Sequence, residues 1–277
     1  MTESIASIRC SVHDLGVMDY DEAWKLQDIY AREIASGTRP PTFLLLEHPH
    51  VYTFGRRGLP EHLLWDDVHL AARGVQVRWT DRGGEATYHG PGQLVGYPLL
   101  PLGTVAATRV PDGSGSASPA RIPDADYVGY IRKLEKTIIV ALAGLGVAAG
   151  QIPGLTGVWV QPDVHSRCAR CRPEDRRKPA KIAAIGVKVD AAGISRHGFA
   201  LNVEPDMSYW DGIVACGLPD LPVVSLADLL GAAPSMARTK AAIVDAFGET
   251  FGFVMSGPGS DPRRSGTRPS TSHARPD

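Results

Sequence analysis

Apolar positions recur along the chain in two rhythms, and each change of rhythm marks a change of element. From Asp19, which suits an N-cap, to Gly37, the residues Trp24, Ile29, Tyr30 and Ile34 fall at helical spacing, and Pro40-Pro41 closes the segment. Thr42 to Glu47 and Val51 to Phe54 are short apolar runs around a His48-Pro49-His50 turn. Val75 to Thr80 alternates as a half-buried strand does, and Leu94 to Leu100 supplies another strand. A segment opened by Asp124 carries Tyr127, Ile131, Leu134, Ile138, Leu142 and Leu145 in steps of three and four before Gly146, which is the strongest helical pattern in the chain. Strand-like runs follow at Gly157 to Val160, Lys181 to Val189 and His197 to Val203, then helical stretches at Ser225 to Leu230 and Ser235 to Phe251. Helices at both ends with strands clustered between them predict an α+β fold, one mixed β-sheet flanked by helices.

Two segments break the pattern. Gly103 to Pro123 is rich in Gly, Ser and Pro, and Gln161 to Pro179 has lost nearly all its apolar residues, so both read as surface insertions. Ser256 to Asp277 is so poor in apolar residues that it cannot offset the entropy of ordering it; it reads as a disordered tail after one domain over residues 1–255. With 29 Lys+Arg against 30 Asp+Glu the formal charge is −1, so the chain has no global basic field for nucleic acid or an anionic membrane. Charged residues scattered through the first twenty positions leave no room for a signal-peptide core, and no run reaches the roughly 18 apolar residues that span a bilayer. The four cysteines are too sparse for a disulfide scaffold. A cytoplasmic location is expected.

Three places could carry chemistry. The run Asp81 to Gln93 joins two predicted strands, and its glycines and Pro91 let the backbone approach a ligand while Arg82, Tyr88, His89 and Gln93 supply polar atoms; a plain turn with solvated side chains fits the same residues. Cys216 lies in a loop of small residues, where a cysteine is commonly a buried hydrophobe and can also be a nucleophile. Lys181 opens an apolar strand, as a snorkelling strand end or as a desolvated functional amine.

Taken together, Arg82-Gly83-Gly84, Tyr88-His89-Gly90-Pro91-Gly92-Gln93, Lys181-Ile182-Ala183-Ala184-Ile185-Gly186, His197-Gly198-Phe199-Ala200-Leu201-Asn202 and Ala215-Cys216-Gly217-Leu218 resemble the lipoyl(octanoyl)transferase family in order and spacing, from about Leu15 to Phe253. The resemblance implies the catalytic fold shared with biotin and lipoate protein ligases, and an acyltransferase that moves an octanoyl group from octanoyl-acyl carrier protein to a lysine. The acceptors it implies are lipoyl domains of 2-oxoacid dehydrogenase complexes and the glycine cleavage H protein. Cys216 matches the family's acyl-accepting nucleophile and Lys181 its partner. Arg82, Gly83, Gly84, Glu85, Ala86, Thr87, Tyr88 and His89, with Ala184, Ile185, Gly186, Gly198, Phe199 and Ala200, match the substrate pocket. No cofactor or metal is implied, because the acyl donor arrives already activated.

His89 and His197 are placed beside the site without a role, as structural imidazoles or proton carriers. Arg56 and Arg57 could meet an acidic carrier protein or be merely solvated. His165, Cys168 and Cys171 form half of a zinc site, a redox pair or an idle loop, and the family pattern does not require them. The nearest rival is an ATP-dependent lipoate or biotin-type ligase on the same fold, followed by a non-catalytic carrier-protein module and a cysteine hydrolase using His89 or His197.

Overall fold

The computed structural model describes residues 8–103, 108–109, 119–120, 126–168, 170–217 and 220–257. Asp124, most of the 103–123 segment and the tail beyond Gly257 lie outside the described residues. Along the chain the first elements are β1 (Arg9–Val17), α1 (Tyr20–Ala35), β2 (Thr42–Glu47), β3 (Val51–Phe54), α2 (Asp67–Ala72), β4 (Gln76–Trp79), β5 (Ala86–His89) and β6 (Gln93–Leu99). A short pair, β7 (Thr108–Arg109) and β8 (Pro119–Ala120), precedes α3 (Tyr127–Gly144), β9 (Gly150–Ile152), β10 (Leu155–Val160) and α4 (Pro162–His165). The remaining elements are β11 (Ala180–Val189), β12 (Ser195–Asn202), α5 (Leu226–Leu230), α6 (Met236–Phe251) and β13 (Val254–Ser256).

Eight strands form one mixed sheet in the order β13-β1-β2-β6-β12-β11-β10-β9, parallel where β1 meets β13 and β2 and antiparallel elsewhere. Its two faces are covered by different helices. In β2, Phe43 and Leu45 turn toward α3 and α6, where Leu134, Ile138, Leu142, Ile243 and Phe247 complete the core, and Leu44 and Leu46 turn toward Ala23, Ala31 and Ile34 of α1. The expected α+β architecture holds, with one correction. A second, three-stranded sheet, β4-β3-β5, stands beside the first with its own core of Tyr52, Phe54, Tyr88 and Ile213.

The helix ends follow local chemistry. Asp19 caps α1 by accepting from the amides of Asp21 and Glu22, Asp126 caps α3 through Gly129, and Ser225 forms a reciprocal capping box with Asp228. The buried stripe of α1 is Tyr20, Ala23, Gln27, Ala31 and Ile34, rotated from the one expected; Ile29 is 43% exposed. Gln27 sits in that stripe because its Oε1 accepts the main-chain N–H of His197 at 2.7 Å. No helix among the described residues is long and apolar enough to cross a membrane.

Candidate active site

Strands β11 and β12 pair in a register that sets Ala184 opposite Ala200 and Gly186 opposite Gly198. These small side chains thin the sheet surface, and a cavity of about 260 Å3 opens over them, roofed by the loop before β5. Glycine is required by contact as well as by space. A Cβ on Gly198 would run into the carbonyl of Gly96, and one on Gly186 would lie 3.0 Å from the carbonyl of Gly83 and 3.1 Å from Cδ of Arg82.

Lys181 enters this cavity from the start of β11 and is 6% exposed. Its Nζ lies 4.6 Å from the ring centroid of Trp159, and among the described residues no carboxylate pairs with it. Gly157 lies beside the lysine stem, and its φ of +118° and the 2.7 Å that would separate a Cβ there from the Ala183 carbonyl exclude a larger residue. Glu135, fully buried on α3, fixes this hairpin. It accepts from Arg132 at 2.7 Å, from Gln151 at 2.7 Å and from the amide of Gly157 at 3.1 Å.

The main chain of Cys216 lies in a single 3-10 turn, Ala215–Gly217. Upstream, the amide of Val214 donates to the His62 carbonyl at 2.9 Å. Downstream, Val223 pairs with Lys181, whose amide donates to Pro222 and whose carbonyl accepts from Val224, both at 2.9 Å. The segment that carries Cys216 is therefore pinned to the backbone of Lys181. The turn packs on β5, and Gly217, with φ +64°, leaves no room for a Cβ against the carboxylate of Glu85, which also lines the cavity.

The opposite end of the cavity is a locked charge cluster. Asp81 accepts from His197 Nε2 at 2.8 Å, from Lys188 Nζ at 2.5 Å and from Arg196 at 3.4 Å; Arg196 also pairs with Asp28. Burial alone would raise the Asp81 carboxyl, but the bonds from His197 and Lys188 outweigh it and hold the pKa down to about 2. Burial lowers His197 more than Asp81 raises it, so the ring is a neutral imidazole at pH 7. Its backbone has φ +57°, which the Gln27 contact holds in place.

His89 is also neutral, pushed well below its ordinary value by burial and then by His48. Its Nδ1 donates to Gln93 Oε1 at 2.8 Å, while the Gln93 amide donates to the Tyr88 carbonyl at 3.0 Å and to Asn202 at 2.9 Å. Asn202 in turn donates to the Val224 carbonyl at 3.1 Å, so this chain of bonds ties the His-Gly-Pro-Gly-Gln motif to the strand partner of Lys181. Arg82 is a roof clamp. Its guanidinium donates to both oxygens of Thr53 and to the carbonyls of Gly83 and Glu85, between 2.5 and 3.0 Å apart from one longer contact at 3.3 Å.

Lys181 and every residue expected in the pocket line the cavity except Gly83 and Tyr88. Gly83 sits behind the wall, its amide donating to the Val187 carbonyl at 2.9 Å. Tyr88 points the other way because successive strand residues alternate; it is packed among Tyr52, Tyr209 and Trp210, with its hydroxyl 2.9 Å from His50 Nδ1. Tyr20, Tyr97, Gly154, Leu155 and Thr156 are lining residues that the sequence did not mark, and Arg57, marked only as a candidate for meeting a carrier protein, lines the cavity too. Asp81, Gln27, Trp159 and Glu135 also escaped it, since their partners are distant in sequence. Cys168 and Cys171 are joined as a disulfide, and among the described residues no group of three or more His, Cys, Asp or Glu is placed to hold a metal ion.

The chain is similar to known proteins in sequence and in fold. The family model described as the lipoyl protein ligase A/B catalytic domain matches residues 19–248. An octanoyltransferase of Chloroflexus aurantiacus is 43% identical over 241 residues, covering 87% of this chain and 93% of that protein. An octanoyltransferase of Rubrobacter xylanophilus is 40% identical over 238 residues, covering 86% and 91%. Among solved structures, the bipartite lipoate protein ligase of Thermoplasma acidophilum aligns with a TM-score of 0.62 over 91% of this chain and 87% of that one, at 15% identity, a likeness of fold.

Proposed function

Because the chain belongs to the lipoyl protein ligase A/B catalytic-domain family, and within it to the octanoyltransferases, we propose that it transfers octanoyl groups by way of a Cys216 thioester assisted by Lys181. The donor is octanoyl-acyl carrier protein and the acceptor a lysine of a lipoyl domain, on 2-oxoacid dehydrogenase complexes or the glycine cleavage H protein. The observation that carries this reading is the buried Lys181 in the cavity wall, with no carboxylate partner among the described residues, on a strand bonded to the segment that holds Cys216.

An ordinary thiol with pKa about 8.5 is only a few per cent thiolate at neutral pH, and a nearby ammonium favours the anion. The thiolate attacks the thioester carbonyl, and collapse of the tetrahedral intermediate expels the phosphopantetheine thiol, with Lys181 returning the proton. The lipoyl-domain amine then attacks the acyl-enzyme, its proton passing to Lys181 as Cys216 is released. The acyl chain lies over Ala184, Gly186, Gly198 and Ala200, and its burial contributes about 0.8 kcal/mol per methylene. His89 and His197 are neutral and tied to Gln93 and Asp81, which supports positioning roles.

The test is an intact mass after exposure to octanoyl-acyl carrier protein without acceptor. A gain of one octanoyl group on Cys216, removed by hydroxylamine, discharged by a lipoyl domain and absent from Cys216→Ala, is expected. Transfer that persists in Cys216→Ala, or that needs ATP and free octanoate, overturns the reading.

A further inference from the structure

Thr87 stands within β5, 5% exposed, and lines the cavity. Its hydroxyl Oγ1 is buried and has no hydrogen-bond partner among the described residues. Of the other polar groups of the wall, Arg82 is engaged on main-chain carbonyls and Thr53, His89 on Gln93, and Tyr97 on His48 at 2.8 Å; the Nδ1 of His197 is also without a partner among the described residues, but with Nε2 donating to Asp81 it is an acceptor, and Lys181 rests over Trp159. The contrast with Thr53 is direct, because Thr53 is the register partner of Thr87 across β3 and β5 and its own hydroxyl accepts from Arg82 at 2.9 Å. A buried hydroxyl without a partner costs about 1–3 kcal/mol, so its retention at a cavity wall points to a use beyond the fold.

The position of Thr87 indicates that use. β5 is the strand on which the Ala215–Gly217 turn packs, and Glu85, two residues before Thr87, touches Gly217, the residue after Cys216. The unpaired donor thus stands on the wall next to the turn, in the cavity that Lys181 also lines. An acyl carbonyl joined to Cys216 brings to this wall an oxygen that becomes charged during reaction and needs donors.

Building on the acyl-enzyme reading above, we propose that Thr87 is a further catalytic residue, whose hydroxyl donates a hydrogen bond to the oxyanion of both tetrahedral intermediates. In the first step the Cys216 sulfur forms a bond to the carbonyl carbon and the π pair moves onto oxygen, where the Thr87 hydroxyl meets it without giving up its proton. Collapse re-forms the carbonyl and breaks the bond to the phosphopantetheine sulfur, which leaves with the proton from Lys181. The second step repeats this with the lysine amine as nucleophile and Cys216 as leaving group.

The test pairs Thr87→Val, which keeps shape and removes the donor, with Thr87→Ser, which keeps the donor; Thr87→Ala is a second hydroxyl-free variant should the valine fail to fold. Single-turnover acylation of Cys216 is expected to slow by roughly 10²-fold in the valine and alanine variants and to recover most of its rate in the serine variant, with KM little changed. Octanal gives a readout that a structural role does not move. Cys216 adds to the aldehyde, with its proton passing to oxygen, to give a hemithioacetal that mimics the intermediate. Octanal inhibition is expected to weaken by a similar factor in Thr87→Val, while non-covalent binding of 1-octanol stays level. Wild-type acylation in Thr87→Val, or equal losses of octanal and 1-octanol binding, overturns the proposal and leaves the Cys216 reading intact. No octanoyl adduct on the wild-type protein overturns both.

Discussion

Lys181 and Lys188 lie on the same strand, β11, and live in opposite surroundings. Lys188 reaches Asp81 at 2.5 Å, in a cluster where His197 and Arg196 share the same carboxylate. Lys181 is 6% exposed, rests its ammonium over the Trp159 ring, and has no carboxylate partner among the described residues. A cation answered by a carboxylate is neutralised in place and stiffens the fold. One answered only by an aromatic quadrupole keeps charge available for an anion that arrives later, a thiolate or an oxyanion. On the proposed mechanism, the difference separates the two ends of the cavity into a reacting end and a supporting end.

The largest expected effect comes from exchanging the two lysines' fates. Lys181→Ala should lower acyl transfer by roughly 10²- to 10⁴-fold, since on the proposed mechanism the ammonium that favours the thiolate and the group that moves the proton are lost together. Lys181→Arg should rescue poorly, because a guanidinium keeps the charge and does not release a proton at neutral pH. Lys188→Gln should hold transfer within about threefold and lower stability by roughly 1 kcal/mol, the scale of a partly exposed ion pair. Single-turnover rates and urea titrations on the same preparations check both. If Lys188→Gln loses as much transfer as Lys181→Ala, the division of the cavity fails.

A smaller effect appears in the pH dependence of stability. Burial lowers His48 to about 4, so the folded state binds its proton less readily than the unfolded state does. Its contribution is complete above the unfolded value of about 6.5 and is lost as pH falls from there toward 4. Asp81, held at about 2, likewise contributes fully above its unfolded value near 4 and loses that contribution as pH falls toward 2. Melting temperature should therefore be level near pH 7 and descend in two stages, through the histidine window and then through the carboxylate window. Asp81→Asn should remove most of the lower stage and leave the upper one. A single descent confined to pH below 4 would show that the buried histidines carry no linkage.

The two ends also differ in how far they were legible in the sequence. β11 and β12 were legible as strands from their long apolar runs, and their wall residues were marked by the resemblance of their motifs to the family. β1 escaped notice because only Cys10 and Val12 of its residues are buried, with His13 and Asp14 interrupting the alternation. β5 was hidden inside a glycine-rich run, where two of its four residues are polar and pairing with β3, far back in the chain, makes it a strand. The stripe of α1 was misplaced because a polar residue, Gln27, occupies its centre to serve the backbone of His197. Asp81 and Glu135 were illegible for a common reason. Each gathers donors scattered over long stretches of chain, and no periodicity announces such a hub.

The smallest expected effect concerns the 161–179 segment, which reads in the sequence as an idle insertion and is more embedded than that. His165 is fully buried with its Nδ1 2.9 Å from the Lys178 carbonyl, Cys168 is 1% exposed, and Arg176 donates to the Cys171 carbonyl at 3.0 Å. A second cavity of about 530 Å3 is lined by Cys171 of this segment together with Ala215 and Val223. An open space transmits little strain, so Cys168→Ser with Cys171→Ser should keep transfer within about twofold of wild type. The disulfide closes a very short loop, for which the chain-entropy account gives at most about 2 kcal/mol, and a chain of this length should lose only a few degrees of melting temperature. Transfer assays on the double variant, and on wild type with and without a thiol reductant, measure the coupling. A tenfold loss under either condition would join this segment to the reacting end and give Lys181 a neighbour that its strand partners do not reveal.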